Sequence, residues 1–248
     1  MFDGMKLSGN TILITGATSG IGLEMARRFH ALGNKIVAVG RNREKLGAME
    51  GEMDALTGIP CDLSKAEDLQ LLIERVNAQF PELNVLINNA GLQFHMEFYE
   101  GTAHWAEIDQ EIDVNFRALV HLTNELMPLL KANGSAAVVN VSSGLAFAPK
   151  KSAPLYCATK AAVHAFSMAL RYQLEDSEVK VFEVIPALVD TPMTEGRGSG
   201  KLTPVELVDE FIVAYKRNNW EVNIGKVKVL RTLLRLWPAK AFALLKNN

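Results

Sequence analysis

The stretch NTILITGATSGIG, residues 10–22, places a short apolar run directly before a glycine-rich loop and the start of a helix. The loop carries Gly16, Gly20 and Gly22 in the spacing G-x-x-x-G-x-G. Glycines at such positions let the backbone turn sharply and approach a pyrophosphate, which then lies against the free N–H groups of the helix N-terminus. The stretch therefore predicts a dinucleotide-binding loop, and the alternative is a tight turn that holds no ligand.

Short apolar runs alternate with longer helical patterns along the rest of the chain. The runs are apolar throughout, which is typical of parallel strands covered by helices on both faces. The alternation predicts a doubly wound parallel α/β sheet in a single domain over residues 1–248. The predicted strands are 10–15, 35–40, 84–89, 136–143 and 179–186, and the predicted helices are 21–33, 64–80, 105–131 and 155–175. Ser64 and Glu67 have the spacing of a capping box at the start of the second helix.

Composition excludes several classes of protein. The 248 residues are 48% hydrophobic and 22% charged with a formal net charge of -2, so nothing indicates a nucleic-acid-binding face. Two cysteines, Cys61 and Cys157, are too few for a disulfide framework and fit a reducing compartment. The N-terminal MFDGMKLSGN has neither a long apolar run nor a cleavage-site pattern, so we expect a cytoplasmic protein.

The end of the second predicted strand, Gly40-Arg41-Asn42-Arg43, indicates which dinucleotide binds. NAD-binding folds usually carry an acid here for the ribose hydroxyls, whereas NADP needs a cation for its additional phosphate. No acid stands at this strand end, and the guanidinium of Arg41 can bind phosphate with two hydrogen bonds. The sequence predicts NADP(H), and the alternative is that Arg41 is a solvated surface residue.

A phenol and an ammonium stand one helical turn apart in PLYCATKAAVHAF, residues 154–166. Tyr156 and Lys160 share one face of a segment whose other residues are mostly small or apolar. A phenol has an ordinary pKa of about 10, and a neighbouring cation stabilises the phenolate. We therefore expect Lys160 to lower the pKa of Tyr156.

Together these motifs resemble the short-chain dehydrogenase/reductase family over roughly residues 8–193, and VVNVSSGLAFAPKKSAPLYCATKAA and GRN look most like its DltE-like branch. The resemblance implies a Rossmann fold and an oxidoreductase that transfers a hydride between NADP(H) and a small-molecule carbonyl compound or secondary alcohol. The alternative is a non-catalytic NADP(H)-binding regulatory or scaffold protein. The motifs are TGATSGIG (15–22), Asp62, NNAG (88–91), Asn115, Ser142-Ser143, Tyr156-x-x-x-Lys160 and PALVDT (186–191).

The resemblance assigns four catalytic residues. Tyr156 is the general acid/base, Lys160 tunes it and binds the nicotinamide ribose, and Asn115 holds a water that links the lysine to solvent. Ser143, thirteen positions before the tyrosine, orients the substrate carbonyl. For its neighbour Ser142 we expect a structural role, capping the strand end or bonding to backbone.

The resemblance also assigns the cofactor site. This chain has Pro186-Ala187 where the family commonly has Pro-Gly, and alanine does not readily adopt positive φ, so the backbone path after Pro186 stays open. The cofactor-binding residues are Gly16, Thr18, Ser19, Gly20, Ile21, Gly22, Arg41, Asp62, Leu63, Asn89, Ala90, Gly91, Tyr156, Lys160, Pro186, Val189 and Thr191.

The substrate pocket is expected to be mainly apolar, which favours an apolar or aromatic carbonyl compound or alcohol. No Lys or Arg stands at an evident anion-clamping position, and no histidine pairing with metal-ligand spacing indicates a metal. Each candidate is as common in a plain core as in a pocket. The candidates are Gln93, Leu145, Phe147 and Met193, with Phe94 and Leu155 beside them.

Two C-terminal segments stand apart. Residues 193–204 include a run rich in glycine and polar residues, predicting a substrate loop that acts as a lid or an ordinary connection. Residues 226–248 are amphipathic and basic, a pattern used to pack on the same domain, on a sister subunit or on a membrane surface. By analogy with the family, we expect a homo-dimer or homo-tetramer built on helices 105–131 and 155–175.

Overall fold

A seven-stranded parallel sheet in the order β3-β2-β1-β4-β5-β6-β7 forms the centre of the computed structural model, which describes residues 4–247. The first three residues of the N-terminal stretch and the last residue of segment 226–248 lie outside the described range. The strands are β1 (Thr11–Thr15), β2 (Lys35–Gly40), β3 (Leu56–Pro60), β4 (Leu83–Asn88), β5 (Ala136–Val141), β6 (Val179–Ile185) and β7 (Glu221–Asn223). This arrangement confirms the predicted doubly wound parallel sheet.

Helices cover both faces of the sheet. They are α1 (Gly20–Ala31), α2 (Arg43–Glu52), α3 (Ala66–Gln79), α4 (Trp105–Ile112), α5 (Ala118–Ala132), α6 (Pro154–Gln173), α7 (Pro204–Lys216), α8 (Val227–Leu236) and α9 (Pro238–Lys246). A π-helical turn, Asp113–Arg117, joins α4 to α5. No helix of residues 4–247 is both long enough and apolar enough to cross a membrane.

Two apolar cores lie on opposite faces of the sheet. On one face, α1 and α7 bring Phe29, Phe211 and Tyr215 together, with ring centroids 5.5–6.3 Å apart in edge-on or tilted contacts. On the other face, α3, α5 and α6 bury leucines and valines against the sheet. Burying each such large side chain contributes about 1.5–3 kcal/mol, which holds the strand ends in fixed positions.

A buried polar chain ties the centre of the sheet to the helices behind the site. Asn88 of β4 donates to the side chain of Asn140 of β5 at 2.9 Å and to Thr123 of α5 at 3.2 Å. Asn140 in turn donates to the Ser167 hydroxyl of α6 at 2.9 Å. Because these groups are buried, the bonds fix the register between β4, β5 and α6.

The segment between β6 and α7 is held by a short bridge between its two ends, and the residues between the bridged positions are rich in glycine. Leu202 pairs with Val189, with backbone hydrogen bonds of 2.8 and 2.9 Å to the chain that follows β6. Gly196, Gly198 and Gly200 between them have φ of +59 to +70°. Thr203 caps α7, which begins at Pro204, so the last residue of the predicted loop 193–204 belongs to the helix.

Candidate active site

A cavity of about 1390 Å³ opens at the carboxyl ends of the strands, where open parallel sheets bind ligands. Every residue of the predicted cofactor set lines this cavity except Gly22, and so do the predicted catalytic residues Ser143, Tyr156 and Lys160. Asn115 lies behind the wall. Of the predicted substrate residues, Gln93, Leu145 and Met193 line the cavity.

The glycine loop forms one end of the cavity. Gly16 and Gly20 have φ of +65° and +54°, which other residues rarely adopt. Gly22 lies inside α1, where a β-carbon would stand 2.3 Å from the Gly16 carbonyl oxygen and 2.5 Å from Asn89 Nδ2. The three glycines therefore let the loop, the helix and the end of β4 approach one another closely.

The helix N-terminus at this loop offers free N–H groups to the cavity. Among the described residues, no side chain caps α1 at Ser19, although Ser19 and Gly20 lie on the cavity wall. The Asn89 side chain instead donates to the carbonyl oxygens of Thr15 and Gly16, at 2.9 and 3.3 Å. An uncapped helix N-terminus beside glycines is a ready anion site, so this cradle fits a pyrophosphate.

Arg41 stands at the end of β2 on the same wall. It is exposed, and within residues 4–247 no carboxylate forms an ion pair with it.

Asp62 also lines the cavity, and it accepts hydrogen bonds from the Ser64 hydroxyl at 2.8 Å and from the Ser64 backbone N–H. The capping box predicted at Ser64 is wrong, because α3 begins at Ala66 and the hydroxyl serves Asp62.

Tyr156 and Lys160 project from the first turns of α6, which begins at Pro154. Lys160 is 3% exposed, and its Nζ donates to the Val141 carbonyl oxygen at the end of β5 at 2.8 Å. Burial lowers the pKa of Lys160 to about 8, although the carboxylates of Glu111 and Glu183 act in the opposite direction. Lys160 is therefore an ammonium close to its titration point near neutral pH.

The pKa of Tyr156 is raised to about 12, so the expected lowering by Lys160 is wrong for the chain by itself. Burial of the phenol disfavours the phenolate and outweighs the interaction with the Ser143 hydroxyl, which acts to lower the pKa. The ammonium of Lys160 is directed to the Val141 carbonyl. Tyr156 therefore holds its proton firmly at neutral pH.

The two neighbouring serines have separate surroundings. Ser143 lies on the cavity wall, and its Oγ accepts a hydrogen bond from the Leu145 backbone at 3.1 Å. Ser142 is buried, and its hydroxyl donates to Glu183 at 2.5 Å, while His164 Nδ1 contacts the same carboxylate at 2.9 Å. Ser142 also lines the cavity, and its hydroxyl bonds a buried carboxylate rather than the backbone partner that we expected.

Asn115 lies in the π-helical turn and is 1% exposed. Its side chain binds both the N–H and the carbonyl of Leu92, at 2.8 and 2.9 Å, and donates to Thr159 Oγ1 at 3.1 Å. A β-carbon on Gly91 would lie 3.5 Å from both Asn115 Oδ1 and Lys160 Nζ. Asn115 thus holds the chain after β4 directly beside the lysine.

Phe147 does not line the cavity, so its position gives no support to the predicted contact with substrate. The residues after Ser143 form a 3-10 turn, Gly144–Ala146, which directs Phe147 back onto α6. Its ring packs edge-on to His164, with centroids 4.7 Å apart, and under the Arg231 guanidinium at 4.2 Å. Phe94 and Leu155 also lie outside the wall.

The backbone after Pro186, which the sequence left open, follows an ordinary path. Ala187 does not have a positive φ, so alanine fits this position without strain.

The amphipathic segment after residue 226 packs on its own domain. Val227 of α8 lies against Gly144, where a β-carbon would stand 2.9 Å from its Cγ2, and the Lys151 N–H donates to the Lys246 carbonyl at 3.1 Å. The two C-terminal helices therefore close the substrate end of the cavity, a role that the sequence pattern alone did not reveal. Their wall residues include Leu230, Leu233, Leu244 and Leu245.

Cationic side chains also line this end, against the expectation of a pocket without them. Lys150, Arg197 and Lys226 all line the cavity, as Tyr156 does. Lys150 directly follows the apolar run after the serines, and Arg197 lies between Glu195 and Lys201 in the glycine-rich loop, so neither belonged to a recognisable motif. Within residues 4–247 no group of three or more His, Cys, Asp or Glu side chains is arranged to hold a metal.

The sequence is similar to known oxidoreductases over most of its length. The sequence model of the family described as short chain dehydrogenase matches residues 10–201. The uncharacterized oxidoreductase DltE of Bacillus subtilis (strain 168) is 38% identical over 237 residues, covering 93% of this chain and 94% of that protein. These matches confirm the family and the branch that the motifs indicated.

Two solved structures show the same architecture. A short chain dehydrogenase from Burkholderia cenocepacia J2315 in complex with NADP has a TM-score of 0.86 and 26% identity, covering 98% of this chain and 100% of that one. A 3-ketoacyl-(acyl-carrier-protein) reductase from Brucella melitensis complexed with NADH has a TM-score of 0.75 and 30% identity, covering 84% and 91%. Similar chains thus bind either dinucleotide.

Proposed function

The chain belongs to the short chain dehydrogenase family, and from that premise we propose that it is an oxidoreductase that transfers a hydride between NADP(H) and a carbonyl compound or secondary alcohol. One observation carries the proposal. Tyr156, Lys160 and Ser143 meet on the wall of the same cavity that begins at the uncapped N-terminus of α1. A proton donor and a dinucleotide cradle thus share one enclosed space.

The residues present fit a nicotinamide dinucleotide. The glycine loop and the N–H groups of α1 would hold the pyrophosphate, Asp62 the adenosine end, and Lys160 the nicotinamide ribose. When bound, the dinucleotide supplies or accepts the hydride. Val189 and Thr191 would hold its carboxamide. Thr191 already lies against Gly20, where a β-carbon would stand 2.8 Å from its Cγ2.

Tyr156 acts as the general acid in the reducing direction. The phenol is protonated at neutral pH, since its ordinary pKa of 10 already lies well above 7 and burial raises it further to about 12, so it holds a proton for the carbonyl oxygen. The Ser143 hydroxyl interacts with this phenol and would orient and polarise the same carbonyl. General acid catalysis of this kind contributes about 10²–10⁴-fold to the rate.

Lys160 and Asn115 support the return of the proton. The Lys160 ammonium, with a pKa of about 8, can lose and regain a proton near neutral pH, whereas the Tyr156 phenol by itself does not. Asn115 holds Leu92 and thereby the wall beside Lys160. We assign to it the role of keeping open a path for a water that links the lysine to solvent.

The preference for NADP(H) over NAD(H) is part of the proposal. Arg41 lies on the cavity wall with no carboxylate paired to it in the described chain, so its guanidinium is available to a phosphate.

Two further expectations from the sequence stay predictions. They are assembly as a homo-dimer or homo-tetramer and a cytoplasmic location.

The experiment is to incubate the purified chain with NADPH and a panel of aromatic and aliphatic ketones and aldehydes, and to measure alcohol formation together with NADPH consumption. The proposal expects stoichiometric formation of alcohol with at least one carbonyl compound. Tight NADPH binding without alcohol from any compound of the panel would contradict it and favour a non-catalytic binding protein.

A further inference from the structure

The substrate end of the cavity is cationic. Lys150, Arg197 and Lys226 line it, whereas the one acid on the wall within the described residues is Asp62, among the adenosine-end residues. No carboxylate forms an ion pair with Lys150 or Arg197 in residues 4–247. Protein surfaces usually intersperse charges of both signs, so cations alone on a concave wall point to an anionic ligand.

Arg197 and Lys150 are both half-buried on this wall. The Nη1 of Arg197 is buried and has no hydrogen-bond partner within the described chain. A guanidinium nitrogen left without an acceptor costs free energy, and the planar group is shaped to give two parallel hydrogen bonds to an oxyanion. The orphaned donor therefore marks a position where an acceptor is missing.

Lys150, Arg197 and Tyr156 line the same cavity, and the charge of Arg197 acts on both of the other groups. Burial and the repulsion of Arg197 lower the pKa of Lys150, and Arg197 also acts to lower the pKa of Tyr156. Arg197 also acts to lower the pKa of one carboxyl group, that of Glu111. Glu111 does not line the cavity, and its Oε2 accepts a hydrogen bond from the Phe94 N–H at 2.9 Å.

We infer that Lys150 and Arg197 form an oxyanion subsite, so that the carbonyl substrate carries a carboxylate or phosphate-type group in addition to an apolar body. The apolar body fits the leucines of α8 and α9 on the same wall. This inference rests on the proposed function for the reacting carbonyl, but the subsite itself is a property of binding and does not need turnover.

The test measures binding by equilibrium dialysis with three probes that share a phenyl ketone. They are 4-oxo-4-phenylbutanoate, its methyl ester, and (3-oxo-3-phenylpropyl)phosphonate. The wild type is expected to bind at least one of the two anions about tenfold or more tightly than the ester, because charge-assisted hydrogen bonds discriminate by about that factor. Comparison of the two anions tells carboxylate from phosphate-type recognition.

Lys150→Gln and Arg197→Gln should each weaken binding of the preferred anion about tenfold and leave the ester within about twofold. Lys151→Gln and Arg217→Gln change exposed cations outside the cavity wall and should alter neither probe. Lys150→Arg keeps the charge, so it should retain anion preference even if the glutamine variants fold poorly. NADPH affinity in Arg197→Gln should equal that of the wild type, since the subsite is separate from the cofactor phosphates.

Equal binding of both anions and the ester to the wild type would overturn the subsite, and so would unchanged anion binding in folded Lys150→Gln and Arg197→Gln proteins. These results are independent of catalysis. A protein that binds the anion through Lys150 and Arg197 but reduces no carbonyl compound would contradict the proposed function and retain the subsite.

Discussion

The Nζ atom of Lys160 lies 5.7 Å from the centroid of the Tyr156 ring while donating a hydrogen bond to the Val141 carbonyl oxygen. The lysine is thus fixed to the end of β5 and faces the phenol as a cation at the distance of a weak cation–π contact. The ammonium of Lys160 is buried and the phenol of Tyr156 is half-buried, and the loss of solvent at this site shifts the pKa of both groups.

Stability should depend on pH through Lys160. Its ordinary pKa of 10.5 falls to about 8 in the folded chain, so between these values the unfolded state binds more protons. The free energy of unfolding of the wild type, relative to Lys160→Met, should therefore rise with pH above 8, by up to about 1.4 kcal/mol per pH unit.

Urea denaturation of both proteins at pH 7.5, 8.5 and 9.5 measures this difference. The other titrating groups are common to both proteins and cancel to first order, and Tyr156, whose pKa is raised from 10 to about 12, contributes in the opposite sense only at higher pH. A constant or falling difference over this range would show that Lys160 is not titrating as a buried group.

Arg41→Glu should reverse the cofactor preference. The substitution removes a cation from the wall and puts in its place an acid that repels a phosphate and accepts ribose hydroxyls. We expect the NADPH dissociation constant to rise about 10- to 100-fold and that of NADH to stay the same or fall. Fluorescence titration measures both constants.

The matched control is Arg43→Glu, two positions farther on in α2 and outside the cavity wall, which should leave both constants within about threefold. If the wild type binds NADH as tightly as NADPH, the assignment of Arg41 to a phosphate is wrong.

Gly22→Ala should disrupt the glycine loop. Its β-carbon would lie 2.3 Å from the Gly16 carbonyl oxygen, which is backbone and can yield only if the loop moves. We expect a loss of about 1–3 kcal/mol in the free energy of unfolding, together with weaker NADPH binding.

Gly47→Ala provides the comparison, because Gly47 lies inside α2 and a β-carbon there meets no atom within 4 Å. Alanine favours helix over glycine, so this variant should be unchanged or more stable by up to about 1 kcal/mol. Similar losses in both variants would mean that helical context, rather than the crowding at Gly22, sets the effect.

The sequence predicted five of the seven strands because their runs are apolar throughout and buried on both faces. It missed β3, whose Gly58 and Pro60 are residues that strands usually avoid, and β7, which has only three residues at the edge of the sheet. It also missed α2, which buries only Leu46 and Met49 and so lacks an amphipathic pattern.

Most of the candidate site was predictable because its residues follow strand ends, which meet at one edge of a parallel sheet. Tyr156 and Lys160 were predictable from helical spacing. The substrate end was not, because it depends on tertiary packing. The 3-10 turn after Ser143 removes Phe147 from the wall, and α8 and α9 add leucines to it. The raised pKa of Tyr156 likewise depends on burial that sequence spacing does not report.

In the proposed reaction Tyr156 donates the proton to the carbonyl oxygen. The most direct measurement compares the rate of carbonyl-dependent NADPH oxidation in wild type, Tyr156→Phe and Tyr172→Phe, with the NADPH dissociation constant of each. Tyr172 is a largely exposed tyrosine on the same helix, so its variant should match the wild type. We expect Tyr156→Phe to lose at least about a hundredfold in rate while its NADPH affinity stays within about threefold. A Tyr156→Phe protein that binds NADPH and turns over at the wild-type rate would contradict the proposed role of Tyr156.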